Sequence, residues 1–292
     1  MIHINEFIEE QLNIWPDARE RYLALGKAER RKFKIGDLEG AFQWNPARVV
    51  STAAKTDAAS VAARPCFLCA TNRPQEQIAV KLSPEWEMLI NPFPIFPVHF
   101  TIISTEHRPQ DAPPLEMGAF ADSFPELAIF FNGASGGASA PDHLHLQAVL
   151  KSELPLLKLA EDNHPLSLPG IMRSDMWGLD LPFVFLSAVI TDDDEGARDY
   201  MKMLALTGAD AEGKPDKGLR NVFCWRDLSG LLRMIVVPRK CHRPRIYGTE
   251  AGKKLVAPGA IDMAGIVILP REEDFRSITG EEMKEIYEDV TP

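Results

Sequence analysis

No apolar run in the 292-residue chain approaches the ~20 residues that span a bilayer, which excludes a membrane helix. The opening segment Met1-Ile2-His3-Ile4-Asn5-Glu6 lacks the basic region and apolar stretch of a secretory leader. The expectation is therefore a soluble, cytoplasmic protein. Cysteine is scarce, with four residues: Cys66 and Cys69 form a Cys-x-x-Cys pair, and Cys224 and Cys241 lie far downstream. In a reducing compartment such a pair is a metal or redox site more often than a structural disulfide. Positive charge is in deficit, 32 Lys and Arg against 42 Asp and Glu, for a net charge of -10. A surface that acidic repels a polyphosphate backbone, so nucleic acid is not an expected partner. A small phosphorylated ligand needs only a local positive or amide-lined site, and is not excluded.

What is present is ordinary globular composition, 45% hydrophobic and 25% charged. That suffices for one large domain or two of ordinary size. Residues 5–31, with Phe7, Ile8, Leu12, Trp15, Tyr22, Leu23 and Leu25 among many charges, read as an amphipathic helical packing segment. Glu39–Val50 reads as a strand with turns, and the Ser/Ala/Thr-rich stretch 51–63 as a linker or loose helix. Further on, 87–91, 99–104 and 128–131 have strand character, and 114–125 could form a helix. A Gly/Ser loop from Asn132 to Ser139 then leads into His143–Leu150. Pleating puts His143, His145, Gln147 and Val149 on one face of that strand, and Leu144, Leu146, Ala148 and Leu150 on the other, towards a core.

The second half repeats this plan at low resolution. Strands are expected at 221–225, 231–237 and 265–269, a turn at 257–260, and a capped terminal helix in the tail from Asp274 on, which holds Ser277-Ile278-Thr279-Gly280-Glu281-Glu282. Phe100–His107 matches Met234–His242, each a strand, a polar turn and a histidine. Gly136–Leu150 matches Pro258–Leu269, each a small-residue turn and a strand. A duplicated α+β unit is the inference.

The chemistry concentrates at His143-x-His145-x-Gln147. The preceding turn holds Gly133, Ser135, Gly136, Gly137 and Ser139, and such a turn lets backbone N–H groups approach phosphate oxygens. An imidazole beside that cradle can attack phosphorus and carry a nucleotidyl group. Gln147 can donate to a phosphate oxygen or orient the nucleophile. The bland alternative is a metal site or two surface histidines. Cys66 and Cys69 supply half of a tetrahedral zinc site, or are a buried reduced pair, or a redox pair without the thioredoxin-like surroundings. His99 reads as a core residue that could face the pocket. Arg48 and Arg64 could bind phosphate or merely be solvated, and Arg239, Lys240 and Arg243 could form a positive rim. Asp192-Asp193-Asp194-Glu195 reads as an exposed loop rather than a divalent-metal site.

The segment from Asn132 to Gln147 resembles the active-site segment of the histidine-triad superfamily. The resemblance is to the branch with glutamine in the third triad position: galactose-1-phosphate uridylyltransferase, diadenosine tetraphosphate phosphorylase and the GDP-hexose phosphorylases. Asn91-Pro-Phe-Pro, Pro97–Ser104 and Glu106-His107 resemble the family's strand pair, in which an asparagine lies near the nucleotide. The resemblance implies an α+β fold of two histidine-triad-like halves, each an antiparallel sheet with packed helices. It implies His145 as the nucleophile, Gln147 on the phosphate, and Asn91, Asn132, Ser135, Gly136, Gly137 and Ser139 around the substrate. It also implies a structural zinc on Cys66, Cys69, His107 and His143. One extra residue between Ser139 and His143 is similar to the GDP-hexose phosphorylases. The second half has no His-x-His; Ala260-Ile261-Asp262-Met263 stands in its expected place.

The expected organisation is an N-terminal helical and linker segment (1–63), a catalytic half (64–160) and a degenerate second half (161–292). The expected activity is nucleotidyl transfer or phosphorolysis of a nucleoside diphosphate sugar, with phosphate or a sugar phosphate as acceptor. Alternatives are a dinucleoside polyphosphate phosphorylase or hydrolase, and a non-catalytic zinc-stabilised nucleotide-binding protein. The chain is expected to be a monomer, its own pseudo-dimer, or a homodimer.

Overall fold

The computed structural model describes residues 3–48, 57–205 and 218–292. The ends of two expected elements, residues 49–50 of the strand-and-turn segment and 51–56 of the linker, lie outside the described residues. Among the described residues no helix is long and apolar enough to cross a membrane.

The N-terminal helical segment is two helices and a strand. Helix α1 (Ile4–Ile14) stops at Trp15, and α2 (Pro16–Ala24) begins on Pro16. Proline forces its predecessor out of the helical region, and Trp15 is extended at φ -116. From Glu29 the chain is strand β1 (Glu29–Ile35), which turns at Gly36 (φ 55) into β2 (Leu38–Trp44). A short helix α3 (Ala58–Ala62) follows, capped by Asp57.

The remaining strands are β3 (Val80–Lys81), β4 (Trp86–Ile90), β5 (His99–Ser104), β6 (Leu127–Asn132), β7 (His145–Leu150), β8 (Gly170–Arg173), β9 (Leu186–Ile190), β10 (Arg220–Arg226), β11 (Leu232–Pro238) and β12 (Ile266–Leu269). Helices α4 (Met117–Ser123), α5 (Pro155–Asn163), α6 (Asp194–Ala205), α7 (Ala260–Met263), α8 (Glu272–Ser277) and α9 (Gly280–Val290) complete the described elements. Thr279 and Glu282 form the expected capping box on α9.

Nine strands form one antiparallel sheet, ordered β3-β4-β5-β7-β6-β10-β11-β9-β8. The first half contributes β4-β5-β7-β6 and the second β8-β9-β11-β10, the same order of successive strands. The halves meet where β6 pairs with β10, Asn132 opposite Asn221 and Phe130 opposite Phe223. The duplication is therefore real, but its register differs from the sequence reading. Strand β5 corresponds to β9, and β7 to β11. Pro258–Leu269 belongs elsewhere: β12 pairs in parallel with β2 in a separate three-stranded sheet. The counterpart of the His-x-His face is Arg233, Ile235 and Val237 on β11, whereas Ala260–Met263 is helix α7. The misreading has a physical cause. Strands buried on both faces are continuous apolar runs without a phase, so any strand followed by a turn resembles any other.

The large sheet is covered on both faces. On one, Phe7 and Ile8 of α1, Met117 and Phe120 of α4 and Met203 of α6 pack on Phe100, Ile102, Ile129, Leu144, Leu146 and Met234. On the other, α5, α7, α8, α9 and the small sheet pack on Phe130, Phe223, Trp225, Ile235 and Val237. Each such side chain contributes about 1.5–3 kcal/mol by leaving water. Over the β4, β5 and β7 part of this second face a cleft remains. The boundary expected at 160 falls inside α5.

Candidate active site

His145 opens β7 at the floor of the cleft. The alternation read from the sequence places Leu144, Leu146 and Ala148 in the opposite core, so the strand's back is fixed by packing. The His145 ring is oriented by one bond: Nδ1–H donates to the His143 carbonyl, 2.8 Å. Nε2 is thereby the unprotonated nitrogen, with no partner among the described residues. Burial pushes the imidazole down to about 4, so it is neutral near pH 7, as a nucleophile must be.

Gln147 lies two residues on and also lines the cleft. Its Oε1 accepts from His99 Nε2–H, 2.8 Å. The tautomer follows from the other ring nitrogen, because His99 Nδ1 accepts from the Ile95 N–H, 3.1 Å. Burial holds His99 at about 3, with the nearby Arg48 charge adding to the effect, so this tautomer persists. With Oε1 occupied, Gln147 has its NH2 left to present. His99 is thus more than a satisfied core residue: it sets which end of Gln147 meets a ligand. Asn91 lies beside it, accepting from the Phe93 N–H at 2.9 Å and donating to Thr101 Oγ1 at 3.3 Å.

Two cavities meet here. The outer cleft, about 930 Å³, is walled by Trp15, Arg21, Phe67, Phe93 and Arg64. Arg21 stacks on Phe93, and Arg64 stacks on Phe67 while pairing with Asp142 at 2.8 Å. The inner cavity, about 80 Å³, lies against the second half and includes Asn132, His242 and Asp262. Arg48, Ser139 and Gln147 border both. Arg48 donates to the Phe93 carbonyl, while its buried Nε has no partner. Burial lowers its guanidinium to about 10, so it remains a cation at the junction. Asp262 is raised to about 6, chiefly by burial.

The Gly/Ser loop divides in two. Gly137, Ala138 and Ser139 line the inner cavity, whereas Ser135 and Gly136 line neither cavity. The Gly136 N–H is spent on the Gly133 carbonyl. Two glycines serve close packing. A Cβ on Gly133 would collide with the Gly218 carbonyl, and one on Gly137 (φ +115) would lie 2.8 Å from Gly259 Cα. The second half holds this loop by a buried chain of bonds. Asn132 Oδ1 accepts from Asn221 Nδ2 (3.0 Å) and the Ala260 N–H (2.7 Å). Asn221 also donates to the Gly136 carbonyl and accepts from Arg239, 2.6 Å. Arg239, read from sequence as a rim residue, is buried and lowered to about 10 by that burial.

Cys66, Cys69, His107 and His143 converge, with ligand atoms all within 4.8 Å of one another. His143 Nε2–H donates to the Ser104 carbonyl, 2.8 Å, which leaves Nδ1 as a donor atom. Nδ1 lies 3.4 Å from Cys66 Sγ and 3.6 Å from Cys69 Sγ; His107 Nδ1 is 3.2 Å from Cys69 Sγ. A tetrahedral ion with S and N bonds of ~2.3 and ~2.05 Å puts S and N about 3.6 Å apart. The cluster can hold a metal with little movement.

Sequence reasoning missed Gln110, Asn221, His242 and Asp262. The signal for Asn221 was present, a lone amide opening an apolar strand. Gln110 had none, since it sits in a proline-flanked loop.

The family model described as Domain of unknown function (DUF4922) matches residues 7–150. A search of curated proteins finds no match. Among solved structures the chain is similar to yeast Ap4A phosphorylase Apa2. Against its complex with Ap4A the TM-score is 0.62 at 16% identity, covering 96% of this chain and 97% of that one. Against its complex with AMP the values are 0.61, 15%, 97% and 96%. A weaker likeness is to an ADP-glucose phosphorylase from Arabidopsis thaliana with bound ADP-glucose, TM-score 0.34 and 16% identity, over 91% of this chain and 100% of that one. The chain thus shares its fold with yeast Ap4A phosphorylase Apa2.

Proposed function

We propose that the chain transfers a nucleotidyl group through a covalent intermediate on His145. A single observation carries this reading. A buried neutral imidazole, tied at Nδ1, has Nε2 uncommitted beside the Gln147 amide at the floor of a cleft. In the first step Nε2 forms a bond to the α-phosphorus of the donor, and the bond from that phosphorus to the leaving phosphate oxygen breaks. In the second, an oxygen of phosphate or a sugar phosphate attacks the same phosphorus and the N–P bond breaks. The Gln147 NH2 donates to the transferring phosphoryl oxygens, Arg48 balances charge where the cavities meet, and Gly137–Ser139 border the phosphates. The outer cleft receives the nucleoside, with Asn91, Phe67 and Phe93 in its wall.

The donor we favour is a nucleoside diphosphate sugar, on the extra residue between Ser139 and His143. A dinucleoside polyphosphate is the second reading, favoured by the shared fold with a protein whose structures hold Ap4A and AMP. Zinc on Cys66, Cys69, His107 and His143 would supply a cross-link, holding the His143 turn that receives the His145 Nδ1–H.

The test is incubation with radiolabelled UDP-, GDP- and ADP-sugars and Ap4A. An acid-labile, base-stable label on protein that is absent in His145→Ala is expected. No label with any donor would overturn the covalent mechanism, and the labelled donor distinguishes the two readings.

A further inference from the structure

Gln110 stands where the sheet should close beside His145. Strands β6 and β7 pair from Leu127 opposite Leu150 to Phe130 opposite Gln147. Two residues further, that register sets Asn132 opposite His145. The side-chain amide of Gln110 occupies this place instead. Its Oε1 accepts from the His145 N–H at 2.7 Å, and its Nε2 donates at 2.8 Å to both the His145 carbonyl and the Asn132 carbonyl. One fully buried side chain therefore engages both backbone groups of His145 and the last carbonyl of β6. It acts as an inserted peptide unit, and it separates the two strands so that β6 can run into the Gly/Ser loop.

The segment bearing Gln110 is itself fixed to the turn before β7. The Gln110 N–H donates to the Pro141 carbonyl, 3.1 Å, and the Leu144 N–H to the Arg108 carbonyl, 2.6 Å. On its other side β7 is paired conventionally, Ile103 of β5 opposite His145. The nucleophile's backbone is thus held by a strand on one flank and by one amide on the other. Attack on phosphorus tolerates little error in position, and a misplacement of ~1 Å costs roughly 10²-fold.

We propose that Gln110 is a positioning residue for the His145 nucleophile. This rests on the nucleotidyl-histidine reading above. Gln110 lines neither of the two cavities; it fixes the His145 backbone so that Nδ1–H meets the His143 carbonyl and Nε2 is left uncommitted beside the cleft.

The variants are Gln110→Met, which keeps the volume and removes all three bonds, and Gln110→Glu. The latter keeps an acceptor for the His145 N–H and sets a carboxylate against two carbonyls. At saturating radiolabelled donor, the rate of His145 labelling should fall roughly 10²-fold in Gln110→Met, with KM for the donor within about threefold and bound metal unchanged. Amide exchange over residues 144–147 should accelerate in the same protein. Labelling within about fivefold of wild type in a folded variant overturns the proposal, as does unchanged exchange. If Gln110→Met does not fold, Gln110→Glu carries the same two measurements. If the wild-type protein takes no label, the nucleotidyl-histidine reading fails, and the exchange result alone decides whether Gln110 holds His145.

Discussion

Gln147→Glu isolates one atom. The replacement has the same length, and its carboxylate still accepts from His99 Nε2–H, which lies 2.8 Å from Oε1 in the native protein. What disappears is the NH2 left over by that bond. Removing one preorganised donor from a developing anion costs about 2.7–4 kcal/mol, or roughly 10²–10³ in rate. The assay is single-turnover labelling of His145, quenched rapidly, at saturating donor. The variant also carries an internal control. Below its own pKa the new carboxyl regains an O–H donor, so its labelling rate should climb as pH falls from about 8 to about 5.5, where wild type does not climb. His99→Phe should be milder, about tenfold or less, because it removes one orienting bond worth ~1 kcal/mol and leaves the amide in place. Gln147→Glu labelling within about fivefold of wild type across that range would refute the assignment of the NH2 as phosphate donor.

Arg239→Met breaks the buried chain to Asn221 and Gly136, leaves neutral buried acceptors unpaired, and should lower the unfolding free energy by about 1–3 kcal/mol; a urea-melt difference below about 0.5 kcal/mol would show that the chain does not hold the halves. Asp262, raised to about 6 by burial, binds its proton more tightly folded than unfolded, so its charged form is penalised above that pH. Wild type should gain stability from this group as pH falls from about 7 to about 4, and Asp262→Asn should lack that slope whatever constant offset its lost acceptor adds. Equal slopes in the two proteins would contradict the assignment. Purified protein should carry about one zinc and Cys66→Ser less than about half, by elemental analysis; full zinc in the variant would remove Cys66 from the ligand set.

The His-x-His-x-Gln strand was legible because its signal is local, and the Cys66–Cys69 pair because its chemistry is; the joining of His107 and His143 to that pair came from the family resemblance. Alternation along 143–150 fixes a face, and thiols and imidazoles announce themselves wherever the chain brings them. The break at Trp15-Pro16 was not read, since 5–31 reads as one helical segment, although the proline signals it. What could not be read was tertiary. Asn221, Arg239 and Gln110 are ordinary polar residues whose roles depend on which backbone they are carried against. Arg48 and Arg239, indistinguishable from solvated arginines in sequence, prove to be half-buried at the junction of the cavities and buried beneath the loop, respectively. The second half's strands misled in register because they are apolar on both faces, and β12 misled because nothing local shows that its partner is β2.

That last pairing bears on time rather than geometry. Ile266 lies beside Ala41, so the hairpin of β1 and β2, which leads into Arg48, gains its third strand only after roughly 220 further residues, from Trp44 to Ile266. Strand β7, which carries His145, precedes β12 in the chain and pairs with neighbours nearby in sequence. The inner cavity, whose far wall is α7 and β12, waits for nearly the whole chain. Contacts this distant in sequence form slowly. A folding chain would therefore hold an assembled histidine strand with an open, incomplete pocket, and gain the inner wall only as α7 and β12 dock.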